Sequence, residues 1–200
     1  MMPKIDFYFF TGSTYTYLSV MRAAALAEHA GVELVWRPFS VRRIMREQNN
    51  SPFVGKPVKM AYMWRDVERR AATHGVPFRV PPPYPIDADE SVNHVATLAA
   101  MEGWCPEFAR AAYDFWFMQG EDPGTPDNLR TIIVGLGREA DAIMARAAEP
   151  SVRERYDAHT DAARALGIFG SPTFACGREI FWGDDRLEDA LAWARAHTGD

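Results

Sequence analysis

Apolar, β-favouring residues run almost unbroken from Lys4 to Phe10, and the hydroxyl-rich Thr11-Gly12-Ser13-Thr14 follows at once. Such a run reads as a buried strand, and small hydroxyl side chains suit the first turn of a helix. A strand therefore feeds a helix that begins near Ser13. Tyr15 to His29 is alanine-rich and helix-favouring, with Gly31 placed to end it, and Val32 to Trp36 reads as a second strand. Two strands joined through a helix run parallel, with a right-handed crossover.

Between about residues 40 and 165 the periodicity is helical, with almost no strand signal. Helices are predicted for VKMAYMWRDVERRAATH before Gly75, for SVNHVATLAAM, for PEFARAAYDFWFMQ, for the alanine-rich stretch after Gly137 and for SVRERYDAHTDAARALG. Pro81 to Pro85 reads as an extended connector. Self-similarity is lacking, so the middle is an inserted helical lobe and not a repeat array. Strand signals return at Pro172 to Cys176 and Glu179 to Trp182, separated by Gly177-Arg178 as in an antiparallel hairpin, and Asp184-Asp185 opens a final amphipathic helix. The order β-α-β, helical lobe, β-β-α is the plan of an α/β thioredoxin-like fold with a large all-helical insertion. Residues 1–38 and 166–200 would form the thioredoxin-like domain and residues 39–165 the helical insertion domain.

The chain has 200 residues, 48% hydrophobic and 24% charged, enough for one sizeable core. The opening MMPKIDFYFF carries Asp6 and has no small-residue cleavage site, so it reads as a strand and not a signal peptide, which implies a cytoplasmic protein. No stretch has the length of apolar sequence that a membrane span needs. Cys105 and Cys176 lie far apart, which argues against a disulfide scaffold, a zinc site and a dithiol redox centre. The net charge of −5 gives no reason to expect nucleic acid. Charge is unevenly spread, however: Arg37 to Arg79 holds ten Lys/Arg against three Asp/Glu, enough to attract a small anion or to form solvated helix faces.

Two short segments carry candidate chemistry. Ser13 sits at a helix start, where free backbone N–H groups and the positive dipole end favour an anion such as a thiolate; the competing reading is simple capping by Ser13 or Thr14. Gly170-Ser171-Pro172-Thr173-Phe174 places a proline at a strand entry. In thioredoxin-like folds that proline is cis and turns the preceding backbone toward the helix start, although prolines also merely begin strands.

DFYFFTGSTYTYL from Asp6 to Leu18, GIFGSPTF from Gly167 and FWGDDRLEDAL from Phe181 resemble the opening and closing motifs of 2-hydroxychromene-2-carboxylate isomerases and kappa-class glutathione transferases. WRPF at Trp36, NNSP at Asn49, K-x-x-Y-M at Lys59 and R-x-x-x-x-G-V-P at Arg70 extend the resemblance nearly end to end. It implies glutathione as cofactor, a small aromatic carboxylate as substrate and a homodimer. By the same resemblance Ser13 holds the glutathione thiolate, Ser171 beside a cis Pro172 offers its backbone to the cysteinyl part, and Trp182, Gly183, Asp184 and Asp185 surround the γ-glutamyl end. Asn50, Lys59 and Tyr84 fall near the substrate. The implied reaction is thiolate addition to a ring-opened conjugated enone-acid, rotation about the new single bond, and release of the trans-o-hydroxybenzylidenepyruvate isomer with glutathione regenerated.

Three positions depart from the family pattern: Thr14 stands for proline, Phe10-Thr11 for an Asp-aromatic pair and Thr16 for serine. A kappa-type transferase or peroxidase and a non-catalytic thioredoxin-fold binding module are alternatives. A disulfide oxidoreductase is disfavoured, because no cysteine lies between Phe10 and Tyr17.

Overall fold

A computed structural model describes residues 2–53, 55–79 and 83–197. Strand β1 (Lys4–Phe9) leads into α1 (Thr14–Ala30) and returns as β2 (Glu33–Pro38); helices α2 (Val41–Glu47), α3 (Pro57–His74), α4 (Ser91–Glu102), α5 (Cys105–Asp114), α6 (Pro126–Gly135), α7 (Ala140–Ala147) and α8 (Pro150–Ala165) follow. The hairpin β3 (Thr173–Cys176) and β4 (Glu179–Trp182) and helix α9 (Leu187–Ala196) complete the chain. The sheet order is β2-β1-β3-β4, with β1 parallel to β2 and antiparallel to β3, and β3 antiparallel to β4. This is the anticipated thioredoxin-like sheet.

The unbroken apolar run of β1 has a direct cause. Side chains alternate between the faces of a strand, and here both faces are covered. Ile5, Phe7 and Phe9 enter the larger core together with α1, α9 and residues of α3 to α7. Tyr8 and Phe10 enter a smaller one with Phe39, Val41, Ile44, Ala163 and Ile168, under α2 and α8. Phe7 lies at the centre of the first, its ring 4.9 Å from Phe174, 5.0 Å from Trp36 and 5.3 Å from Phe9. The helical insertion thus shares one continuous core with the sheet.

Three local features differ from the sequence expectation. Helix α2 is short and strongly basic, so its periodicity was too brief to register; Ser40 caps it, accepting from the Arg43 N–H. The final helix does not begin at Asp184: residues Asp184–Arg186 form a 3₁₀ turn and α9 starts at Leu187. Asp184 is drawn out of the helical path into an ion pair with Arg70 of α3. Of the expected connector, Pro81 and Pro82 lie outside the described residues, and the Tyr84–Pro85 peptide is cis at a bend. No helix among the described residues is long and apolar enough to cross a membrane.

Phe7→Ala should lower unfolding free energy by about 3–5 kcal/mol, because the ring's neighbours from three strands cannot all close the cavity. Urea denaturation checks it, and a loss below about 1 kcal/mol would show that the β1 aromatic stack is not the keystone of the larger core.

Candidate functional site

Ser13 occupies the N-cap position of α1, with extended backbone (φ −97°, ψ 126°), yet its side chain makes no capping bond. Its Oγ instead donates to the Ser171 carbonyl at 2.8 Å, where the inner strand β1 ends and its neighbour β3 begins. Simple capping is therefore not what Ser13 does. Among the described residues no other side chain caps α1, so its first-turn N–H groups and the positive end of a 17-residue dipole face this spot.

The Ser171–Pro172 peptide is cis. Two bonds fasten this loop to the strand–helix junction: the Phe10 N–H donates to Ser171 Oγ at 2.9 Å, and Thr16 Oγ1 lies 2.8 Å from the same oxygen. Thr16 thereby explains one departure from the family pattern, since threonine keeps the hydroxyl that meets Ser171. Thr14 explains another: at the first helical position a proline has no N–H to lose, and threonine there uses its hydroxyl to donate to Met63 Sδ at 3.0 Å. The third is Phe10, whose ring lies 4.7 Å from the Arg42 guanidinium and offers that cation an aromatic face.

Sequence reasoning missed Tyr113. It reaches from α5 into the junction, and its hydroxyl is shared between the carbonyls of Phe10 and Ser13, each at 2.9 Å. Burial pushes its own ionisation well above the ordinary tyrosine range, so it serves as a neutral donor. A buried tyrosine in an aromatic helix looks like core; only its hydroxyl distinguishes the two roles.

Trp182 is 53% exposed and folds back over the loop. A Cβ on Gly170 would come within 2.1 Å of the Trp182 indole nitrogen, so glycine is required there for the ring to approach; Phe169 flanks it at 4.8 Å. The Gly183 N–H donates to the Pro172 carbonyl at 3.0 Å, which brings the Asp184 turn alongside. Asp184 is 4% exposed, and Arg70 Nε and Nη2 both meet its Oδ2, at 2.8 and 2.7 Å, leaving Oδ1 as an acceptor. Burial raises its pKa while Arg70 works the other way. Asp185 is exposed and pairs with Arg186 at 2.9 Å.

The remaining sequence candidates lie toward the start of α3. Lys59 is one helical turn before Met63, on the same face, and so one turn from the Thr14 contact. Its Nζ stands 5.5 Å from the centre of the Phe53 ring, which also meets Tyr84 at 5.7 Å, and Tyr84 in turn meets Trp64 at 6.1 Å. Asn50 is exposed in the loop after α2, where its N–H donates to the Met45 carbonyl. No described contact joins it to Ser13.

The basic segment is mostly spent on internal partners. Arg37 pairs with Asp6, Arg43 with Asp157, Arg65 with Glu68, Arg69 with Asp66 and Arg70 with Asp184, while Arg42 donates to the Ile86 and Asp87 carbonyls. Lys59 makes its contact with a ring and not with a carboxylate. Cys105 is fully buried and Cys176 partly so, and burial raises both thiols, which leaves neither suited to act as a nucleophile. Among the described residues no cluster of His, Cys, Asp or Glu could hold a metal ion.

Replacing Tyr113 by Phe should cost about 1–3 kcal/mol of stability, because two carbonyls at the junction lose their donor. Equilibrium unfolding of the variant measures it; an unchanged midpoint would mean that water replaces the hydroxyl without loss.

Comparison with known proteins supports the same fold. The DSBA-like thioredoxin domain matches residues 4–192. The 2-hydroxychromene-2-carboxylate isomerase of Sphingobium xenophagum is 30% identical over 190 residues, covering 94% of this chain and 96% of that protein. A solved structure of 2-hydroxychromene-2-carboxylate isomerase superposes with a TM-score of 0.83 at 26% identity, covering 96% of this chain and 94% of the other. Glutathione S-transferase kappa 1 of Caenorhabditis elegans is 32% identical over 82 residues, 40% of this chain and 36% of that protein. Matched nearly end to end in both sequence and fold, the chain belongs to the 2-hydroxychromene-2-carboxylate isomerase family of DSBA-like thioredoxin-fold proteins.

Proposed function

We propose that this protein is a glutathione-dependent isomerase that converts a 2-hydroxychromene-2-carboxylate-like substrate to its trans-benzylidenepyruvate isomer. The observation that carries the reading is the Ser13 hydroxyl, which stands at the start of α1 and points to the cis-Pro172 loop instead of capping the helix.

The residues present fit glutathione. The Ser171 N–H makes no hydrogen bond among the described residues and is free to pair with the cysteinyl carbonyl. Asp184 Oδ1 can accept from the γ-glutamyl ammonium while Arg70 holds the other oxygen, and the exposed Trp182 ring packs over Gly170 of the same loop. Held there, glutathione would supply a nucleophilic thiolate for reversible addition to a conjugated double bond. Ser13 can rotate its proton from the neutral Ser171 carbonyl to a charged sulfur, a stronger acceptor. That bond is worth about 1.5–3 kcal/mol and the helix end about 0.3–1; less about 0.5–1.5 kcal/mol for the Ser171 bond given up, they lower a thiol pKa of about 8.5 by about one to two units. Lys59, which shares the Phe53 ring with Tyr84, supplies a cation for the substrate carboxylate.

The partial match to a kappa-class transferase supports a second reading, conjugation of glutathione to an electrophile. Glutathione-dependent loss of hydroxychromene absorbance, run beside a chlorodinitrobenzene assay, separates the two. Isomerisation without stable conjugate supports the first, and conjugation alone the second. Ser13→Ala should reduce isomerase turnover about ten- to a hundred-fold while weakening glutathione binding far less. Undiminished turnover in that variant contradicts the role given to Ser13.

A further inference from the structure

The loop that presents Ser13 has a third support, from residues that neither the sequence motifs nor the proposed chemistry use. The Thr11 N–H donates to Asn93 Oδ1 at 3.0 Å. Asn93 lies in the first turns of α4, with no solvent exposure, and its Nδ2 donates to Asp87 Oδ2 at 3.1 Å. The donor on one side and the acceptor on the other fix which end of the amide is oxygen.

Asp87 is itself over-determined. Its carboxylate takes the Val92 N–H at 3.2 Å, its own N–H donates to the Asp122 carboxylate, and its carbonyl accepts from Arg42. It is 2% exposed and its backbone adopts a left-handed φ of 49°. A Cβ on Gly124 would fall 2.5 Å from Asp87 Cα, so a glycine packed there admits no side chain. The charged and titratable groups facing Asp87 are Arg42 from α2, Glu90 at the start of α4, Asp122 from the loop before α6 and Tyr156 from α8. A buried carboxylate this firmly held, bonded to one buried amide whose far end grips Thr11, is an arrangement for fixing direction.

We infer that Asn93, oriented by Asp87, is a positioning residue: by holding the Thr11 N–H it sets the path of the Phe10–Ser13 loop and so aims the Ser13 hydroxyl at the Ser171–Pro172 loop. The inference rests on the proposed role of Ser13. Asn93 touches neither substrate nor sulfur, and it acts through the backbone. Burial raises the Asp87 pKa to about 6, so the carboxylate is mostly ionised at neutral pH and able to accept from the amide.

The test is a donor–acceptor exchange in the full-length protein. Asn93→Ala should lower glutathione-dependent turnover about tenfold, with a smaller change in KM for glutathione, and should speed amide hydrogen exchange at Thr11 by at least about tenfold. Asn93→Asp sets two carboxylates face to face, which can share one proton at low pH and repel when both ionise. Its turnover relative to wild type should therefore fall as pH rises. Adding Asp87→Asn to Asn93→Asp restores one donor and one acceptor and should recover most of the lost turnover and remove that pH dependence. Unchanged Thr11 exchange in Asn93→Ala, or a double variant no better than Asn93→Asp alone, overturns the inference. If the wild type shows no glutathione-dependent turnover, it is the proposed function that fails, and Thr11 exchange still decides the role of Asn93. If Asn93→Ala does not fold, the pH profile of Asn93→Asp and its recovery in the double variant decide.

Discussion

The hydrogen bond from the Ser13 hydroxyl to the Ser171 carbonyl joins two segments 158 residues apart. It forms because β1 and β3 pair directly, which lays the entry of β3 against the exit of β1. The cis Ser171–Pro172 peptide turns the loop inward, and Ser171 Oγ ties it to the Phe10 N–H and to Thr16. A serine bonded to its own helix would have closed the start of α1. One turned away leaves the helix dipole and the first-turn backbone donors unspent beside the Ser171–Pro172 loop.

The rest of the fold holds that junction still. The aromatic stack of β1 with Trp36 and Phe174 locks strand register, and Tyr113 closes the junction from the helical side. Arg70 crosses from α3 to Asp184 and fixes the turn that leads into α9. The strongly basic stretch is therefore largely structural: Arg37, Arg43 and Arg70 join separate elements, Arg65 and Arg69 pair within α3, and Lys59 lies over the Phe53 ring.

Much of this was legible in the chain. The aromatic run of β1, the hydroxyls after it and the proline before Phe174 identify the strand, the helix start and the loop, because each depends on local chemistry that a few adjacent residues supply. The small core under Tyr8 and Phe10 announced itself only as a lack of alternation, and α2 was too short to show a period. What stayed hidden is long-range. Tyr113 and Asp87 look like an ordinary core aromatic and an ordinary loop acid, and Ser13 is bonded to residues 100 and 158 positions away. The shift of the last helix to Leu187 has the same origin, since Arg70 lies 114 residues from the aspartate it captures.

A pH titration of the thiolate absorbance of bound glutathione measures the consequence of this geometry most directly. With Ser13 in place the bound thiol should ionise about one to two units below the free value of about 8.5, and most of that depression should vanish in Ser13→Ala. Glutathione that binds with its thiol pKa unmoved, or moved equally in both proteins, would contradict the account.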